Sequence, residues 1–187
     1  LKKTWLYYFH REYFNAWLFA EIASAEKLAR AKDRGFAVRL NGTSDISLKL
    51  FSLYGVNVLD AFPTVQFYDY TKVIKQVKLA AKYDNYDVTF SFANTSEHDN
   101  FDNTLNTLAL GGKVSVVFDL STFPGKAFPA TFLGYEIANG DETDLTFLQS
   151  EKVLGLNFKK TGANIDDNKF VLSYDDLNKM EAALMSE

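Results

Sequence analysis

Four short apolar segments recur along the first part of the chain, and each is followed by polar residues and a stretch compatible with a helix. The segments end at positions 40, 69, 92 and 118, so 23 to 29 residues separate each end from the next. Such spacing suits repeated β-α units, whose strands lie parallel in one sheet. The sequence therefore predicts an α/β fold with a mostly parallel sheet. A complete eight-unit barrel takes about 250 residues, so an open sheet or an incomplete (β/α) barrel is expected.

The predicted elements divide the chain into three parts. The predicted strands of the repeats are FAVRL (36–40), TVQFYD (64–69), YDVTFSF (86–92) and KVSVVFD (113–119). Before them, residues 11–34 have apolar side chains at helical spacing, which predicts a long helix that stops at Gly35. After them the pattern is less regular, with strands predicted near 132–137, at 153–159 and at 169–172, and a last helix from Ser173.

No linker long enough to separate domains interrupts these elements. We therefore expect a single α/β domain over residues 1–187, made of an N-terminal helical part (1–35), the βα repeats (36–119) and a part with mixed strands and a C-terminal helix (120–187). The helix that follows each strand should begin at a capping residue. Asp45, Thr71 and Ser96 occupy these capping positions.

Composition excludes several classes of site. The 187 residues include no Cys and only two His, so neither a cysteine-ligated iron–sulfur cluster nor a thiolate zinc site can form within them. The net charge of −4 gives no overall cationic field to attract nucleic acid, which makes that partner less favoured. No apolar run approaches about 18 residues, so no association with a membrane is expected. The chain contains none of the common phosphate-binding or hydrolase motifs, so the sequence identifies no reaction and no cofactor.

Polar residues follow each predicted strand. In parallel α/β folds, the loops beyond the carboxyl ends of the strands converge on one face, where ligands bind. Arg39 and Lys72 supply positive charge near helix N-terminal amides, which favours a small anionic ligand such as a nucleotide. The residues predicted to bind it are Arg39, Asn41, Asp45, Asp69, Tyr70, Lys72, Ser91 and Asn94. No metal site is predicted.

The two cations also have a structural interpretation. Arg39 falls inside an otherwise apolar strand, and a buried guanidinium needs a partner. An internal ion pair with Asp45, Asp69 or Asp119 explains Arg39 as well as a ligand does. Lys72 lies at the unfavourable end of a helix dipole, which a nearby Asp69 or an anionic ligand would offset.

Other residues have an alternative interpretation as well. Strand alternation places Tyr68 and Tyr70 on one side of the second strand and Asp69 on the other. The two rings would either stack on a ligand or pack against the protein. The acidic segment NGDETDL (139–145) is interpreted as a surface turn rather than a cation site, and His98 as an exposed side chain.

Six segments resemble, in this order, a family of bacteriophage and plasmid proteins known as the gene-product-eighty-eight family. They are RLNGTSDIS (39–47), FPTVQFYDYTK (62–72), YDVTFSFANTSE (86–97), GGKVSVVF (111–118), NGDETDLTFL (139–148) and VLGLNFK (153–159). The resemblance covers most of residues 36–160. It implies a viral protein that acts in the host cytoplasm, but it implies no reaction.

The chain departs from this family in two ways. Family members commonly carry an N-terminal cysteine-rich region that resembles an iron–sulfur or radical-enzyme element, and this sequence has no Cys. Either that region precedes Leu1 or this member has lost it. The family's acidic segment usually contains a His where this chain has Thr143. The resemblance therefore transfers no catalytic chemistry.

Three hypotheses follow for function. The first is a phage-encoded accessory protein that binds a small anionic ligand or nucleotide at the strand ends. The second is a non-catalytic interaction module for a host or phage protein, which the many Phe and Tyr residues favour. The third is nucleic-acid binding in replication.

Overall fold

The structure, a computed structural model, describes residues 2–42, 44–93, 100–159 and 170–184. Within these residues the helices are α1 (Lys2–Phe9), α2 (Arg11–Ala31), α3 (Val58–Ala61), α4 (Ile74–Ala80), α5 (Phe101–Ala109) and α6 (Tyr174–Leu184). Short 3-10 helices cover Leu48–Leu50, Leu120–Thr122, Pro124–Lys126 and Thr146–Leu148. None of the described helices is both long and apolar enough to cross a bilayer.

The described strands form one large sheet and one separate hairpin. They are β1 (Ala37–Val38), β2 (Ser52–Leu53), β3 (Val56–Asn57), β4 (Gln66–Thr71), β5 (Tyr86–Ser91), β6 (Lys113–Phe118), β7 (Thr131–Phe132), β8 (Tyr135–Asn139), β9 (Val153–Asn157) and β10 (Val171–Leu172). The sheet order is β1-β4-β5-β6-β9-β8-β7, and β10 also pairs with β6. The pairs β1/β4, β5/β6, β6/β9, β8/β9 and β6/β10 are parallel. The predicted α/β class with a mostly parallel, open sheet is therefore confirmed.

Contacts divide the chain into two compact units. The first unit comprises Leu1–Asp69 and Leu79–Asp87, and the second comprises Tyr70–Lys78 and Val88–Glu187. Apolar side chains from α2, α3 and β4, such as Ile22, Leu59 and Phe67, are buried in the first unit. In the second unit the strands β5, β6 and β9 bury side chains such as Phe90 and Phe118.

The long N-terminal helix ends three residues earlier than predicted. After Ala31, the amide N–H of Asp33 donates to Arg30 O and that of Arg34 to Ala29 O, which is the Schellman pattern of a helix end. This pattern requires one residue with a positive φ, and Asp33 takes it with a φ of 51°. Asp is among the few non-glycine residues that tolerate this conformation, so Gly35 is not needed as the stop. The preceding aromatic segment, for which the sequence made no prediction, forms α1.

The segment after the first strand contains no long helix. Residues 48–61 form a 3-10 turn, the antiparallel hairpin β2–β3 and the four-residue α3 instead. Tyr54 and Gly55 both have positive φ values, which is what a two-residue hairpin turn requires. The expectation that Asp45 caps a helix is therefore wrong, because no described helix begins beside it. The strand predicted near 132–137 is likewise broken into β7 and β8 by a turn at Leu133–Gly134.

The other predicted caps have different outcomes. Thr71 is the last residue of β4, and its hydroxyl accepts a hydrogen bond from the amide of Val73, directly before α4 begins. The last helix begins near Ser173 as predicted, where Ser173 and Asp176 form a reciprocal cap of α6, since the amide of Asp176 donates to Ser173 Oγ and the amide of Ser173 donates to Asp176 Oδ2. Ser96 lies outside the described residues.

Candidate functional site

The candidate site in the first unit is the strand-end loop, residues 39–42 and 44–46, which follows β1. β1 pairs with β4 only at Ala37 and Val38, so Arg39 lies just beyond the strand and not inside it as predicted. Because this edge strand is only two residues long, ladder hydrogen bonds do not hold the residues that follow it, and side-chain hydrogen bonds can determine their conformation. The conformation of this loop is therefore set by one buried pair of polar residues.

That pair is Asn41 and Asp69. The backbone amide of Asn41 donates to Asp69 Oδ1 at 3.0 Å, and its side-chain Nδ2 donates to Asp69 Oδ2, also at 3.0 Å. Asp69 is 2% exposed and Asn41 is 3% exposed. Both carboxylate oxygens of Asp69 are thus engaged in fixing the start of the loop.

Asn41 also organises the rest of the loop. Its Oδ1 accepts hydrogen bonds from Ser44 Oγ at 2.9 Å and from the amide of Ile46 at 3.1 Å, while its Nδ2 donates to Ile46 O at 2.9 Å. A single amide side chain therefore connects the end of β4 to both ends of the turn. Asn is suited to this because it carries donors and an acceptor on one planar group.

Burial governs the ionisation of Asp69. Removal from water raises its pKa to about 6, although the two hydrogen bonds from Asn41 and the charge of Arg39 act in the opposite direction. The nearby charge of Asp45 raises the pKa further. Arg39 is half-buried and Asp45 is exposed. The site is thus a small charged cluster in which a cation and two carboxyl groups influence one another.

Tyr86 belongs to the same cluster, although the sequence did not indicate it. It is buried at the start of β5, and burial raises the pKa of its hydroxyl, with the charges of Asp69 and Asp45 adding to the effect. A neutral phenol can donate and accept hydrogen bonds beside a carboxylate. No sequence signal distinguishes this Tyr from other strand aromatics, because its role depends on which residues lie across the sheet.

The remaining predicted ligand-binding residues belong to the second unit or lie outside the described residues. Tyr70 is half-buried, and the exposed Lys72 has its Nζ 5.9 Å from the centroid of the Phe170 ring. Ser91 Oγ lies 3.5 Å from Ser115 Oγ. Asn94 and His98 are outside the described residues. The structure thus groups Arg39, Asn41, Asp45 and Asp69, and the ligand-binding roles of all eight residues stay predictions.

Strand alternation in β4 follows the predicted pattern. Phe67, Asp69 and Thr71 are buried, and Tyr68 and Tyr70 between them are half-buried. The two tyrosines therefore share the face opposite to Asp69, as a period of two requires.

Two acidic residues outside the first unit have structural partners. Asp119 accepts hydrogen bonds from the amide and hydroxyl of Ser121 and so begins a short 3-10 turn. Asp141 Oδ2 accepts from the amide of Asn157 at 2.7 Å, and its Oδ1 lies 3.4 Å from Lys159 Nζ. Asp141 and Glu142 are exposed, in agreement with a surface turn. Among the described residues, no group of three or more His, Cys, Asp or Glu side chains is placed to hold a metal ion.

Comparison with known proteins identifies the family. Residues 1–174 match the family described as "Gene product 88". The chain belongs to the gene product 88 family. This match extends beyond the segments 36–160 that carry the resemblance in the sequence, and it places the chain in a family of phage proteins. No curated protein and no solved structure matches the chain.

Proposed function

We propose that this gene product 88 protein is a phage accessory protein that binds a small anionic ligand, with nucleotides as the leading class, at the strand-end loop. It would act in the host cytoplasm, where phage genes are translated. Arg39 would hold the anion, and the Asn41–Asp69 pair would fix the loop that presents it. Asp45 would contact the less charged part of the ligand.

The observation that carries this proposal is the burial of Asp69 and Asn41 as a hydrogen-bonded pair. Placing a carboxyl group where it is 2% exposed costs free energy. A turn that only connected two elements would not need such a group, because glycine and short polar side chains make turns at the surface. A loop whose shape is fixed in advance loses less conformational entropy when it binds a ligand. A preformed binding loop at a strand end accounts for this cost.

Arg39 is the residue best suited to contact the anion. It is half-buried, and its charge lowers the pKa of Asp69, so the guanidinium lies within electrostatic reach of that carboxyl group. A planar guanidinium can bind a phosphate or carboxylate through two parallel hydrogen bonds. The electrostatic link to Asp69 would hold Arg39 in one orientation before the ligand arrives.

Removing the guanidinium should weaken binding strongly. Titration calorimetry with a panel of nucleotides is expected to show saturable binding to the native protein. Arg39→Ala should raise Kd by about 10-fold or more, because a hydrogen bond to a charged group contributes about 1.5–3 kcal/mol. Lys49→Ala removes an exposed cation from the same unit and serves as the matched control. Equal loss in both variants would indicate nonspecific attraction, and absence of binding to the native protein would remove the proposal.

A protein-interaction module is the second candidate function, and the surface of α1 and α2 favours it. Trp5, Tyr8, Phe9 and Tyr13 are all more than half exposed, with Phe9 at 70%. The Trp5 ring lies 5.9 Å from the Phe9 ring and 4.6 Å from the His10 ring between centroids. We call Trp5, Tyr8, Phe9 and Tyr13 the aromatic surface. Exposed aromatic groups of this kind are typical of the centres of protein interfaces.

Quantitative cross-linking in phage-infected cells tests this second function. A partner of the aromatic surface should be recovered with the native protein at a level about 10-fold or more above that with a Trp5→Ser, Phe9→Ser double variant, since buried aromatic anchors dominate binding energy. Leu148→Ser changes an exposed apolar residue of the second unit and should leave recovery unchanged. Equal recovery with all three proteins would contradict a role for this surface.

A further inference from the structure

A cavity of about 470 Å³ lies in the first unit between the first turns of α2 and the β2–β3 hairpin. Its lining consists of Glu12, Tyr13 and Ala16 on the helix and residues 52–55 on the hairpin. This volume lies in the range of sites that accept a small molecule or one side chain of a partner. The cavity is separate from the strand-end loop, because the two share no residue.

The walls of the cavity are fixed by two amide side chains, one buried and one half-buried. Asn15 is buried on α2, and its Nδ2 donates to Leu50 O at 3.3 Å and to Ser52 O at 2.8 Å. Asn57 Nδ2 donates to Leu48 O at 2.9 Å and so anchors the other strand of the hairpin. Helix and hairpin are therefore connected by specific hydrogen bonds, and the cavity between them is preformed.

Tyr54 has an unusual conformation at the edge of this cavity. It occupies the first position of the hairpin turn with a φ of 50°, a position that strongly favours Asn, Asp or Gly. Its side chain is 96% exposed, so packing does not compensate for the strain. A bulky residue held in the left-handed region at no packing benefit points to a functional role.

The lining residues indicate which chemical group fits. The exposed Tyr13 and Tyr54 and the acidic Glu12 are among the residues that line the cavity. Aromatic faces attract cations, and a carboxylate completes the charge of the site. The same carboxylate would repel a phosphate group, which disfavours nucleic acid as the occupant. Arginine matches the set better than lysine, because its flat guanidinium stacks on rings and can pair with a carboxylate through two hydrogen bonds.

We propose that this cavity receives the guanidinium group of an arginine side chain from a partner polypeptide, between the rings of Tyr13 and Tyr54 and against the carboxylate of Glu12. This inference rests on the second candidate function and names the chemistry of the partner. Tyr13 belongs both to the cavity lining and to the aromatic surface, so Tyr54 and the aromatic surface would then lie at one interface.

Two peptides that differ only in charge test the proposal. The probes are acetyl-Gly-Arg-Gly-amide and its citrulline counterpart, which keeps the shape and lacks the positive charge. Amide NMR titration of the native protein should show saturable shifts at Glu12, Tyr54 and Gly55 with the arginine peptide. The citrulline peptide should bind about 10-fold more weakly or worse.

Variants separate this cavity from the rest of the surface. Glu12→Gln and Tyr54→Asn should each raise the Kd for the arginine peptide by about fivefold or more. Asn suits the left-handed turn position, so the second variant should keep the fold and at least the native Tm. Tyr135→Asn alters an exposed tyrosine of the second unit, outside both the cavity lining and the aromatic surface, and should leave the Kd unchanged.

Three results would overturn the proposal. The first is the absence of chemical-shift changes at the amides of Glu12, Tyr54 and Gly55. The second is an equal Kd for the arginine and citrulline peptides. The third is tighter binding of a single-stranded oligonucleotide than of the arginine peptide, if Tyr54→Asn abolishes that binding. The cross-linking experiment on the aromatic surface is independent of these probes. A partner recovered there, together with a negative peptide titration, would reject the arginine site and retain the interaction function.

Discussion

Phe118→Ala is expected to lower the free energy of unfolding by about 3–5 kcal/mol, as large-to-small substitutions of fully buried phenylalanines do. Phe118 is completely buried at the end of β6. Its ring lies 5.5 Å from the Phe123 ring, 6.0 Å from the Phe128 ring and 6.4 Å from the Phe132 ring, between centroids. Its removal would leave a cavity among three rings of the second unit that cannot collapse without moving the sheet.

Urea unfolding followed by circular dichroism measures this loss. Leu110→Ala removes a half-exposed apolar side chain beyond α5 and should change stability by about 0.5 kcal/mol or less. Phe118→Leu keeps most of the side-chain volume, so its loss of unfolding free energy should fall between those of Phe118→Ala and Leu110→Ala. This variant supplies a measurable value if Phe118→Ala does not fold. A loss below about 1 kcal/mol for Phe118→Ala would show that this cluster is not a tightly packed core.

The second large effect is a dependence of stability on pH caused by Asp69. Its pKa is raised from the ordinary 3.8 to about 6 in the folded protein, so between these values the folded state binds more protons than the unfolded state. Stability must then decrease as the pH rises from about 4 to about 6. A shift of about 2 units corresponds to about 3 kcal/mol over the whole titration, of which about 2 kcal/mol is lost between pH 4 and pH 6.

Asp69→Asn isolates this contribution. The variant cannot ionise, so the difference in unfolding free energy between it and the native protein should change by about 2 kcal/mol between pH 4 and pH 6. Asp84→Asn alters an exposed carboxyl group of the same unit and should retain the native profile. Denaturant titrations at half-unit steps of pH provide the measurement. A native protein whose stability instead rises over this range relative to Asp69→Asn would show that Asp69 is not buried as described.

The regular part of the fold could be predicted because each central strand is itself an apolar run. β4, β5 and β6 are buried on one or both faces, and such strands are recognisable without knowledge of their neighbours. The hairpins β2–β3 and β7–β8 were missed because their turns place Tyr54 and Leu133 at a position where Asn or Asp is the usual signal. The prediction of a helix after Asp45 was wrong for the same reason, because the turn at Tyr54 gave no hairpin signal in that segment.

Half of the residues that the sequence assigned to the candidate site lie together in the structure, while their binding role stays a prediction. The strand-end rule selected Arg39, Asn41, Asp45 and Asp69, and these residues do influence one another in the first unit. The rule could not show that Asn41 and Asp69 are buried and bind each other, because burial depends on residues distant in sequence. Tyr86 was missed for the same reason, because its burial also depends on residues distant in sequence. The cavity lined by Glu12 and Tyr54 lies between a helix and a hairpin that was not predicted, so the sequence alone could not indicate it.

The ends of the sheet have a consequence for how the protein behaves at high concentration. In the described part of the chain, both outermost strands of the sheet order, β1 and β7, are only two residues long. An approaching sheet from another molecule could therefore form only a few ladder hydrogen bonds with either of these two strands. Long exposed edges are the usual route by which α/β proteins join into fibres or swap strands. The brevity of its two outer strands limits this route for the protein.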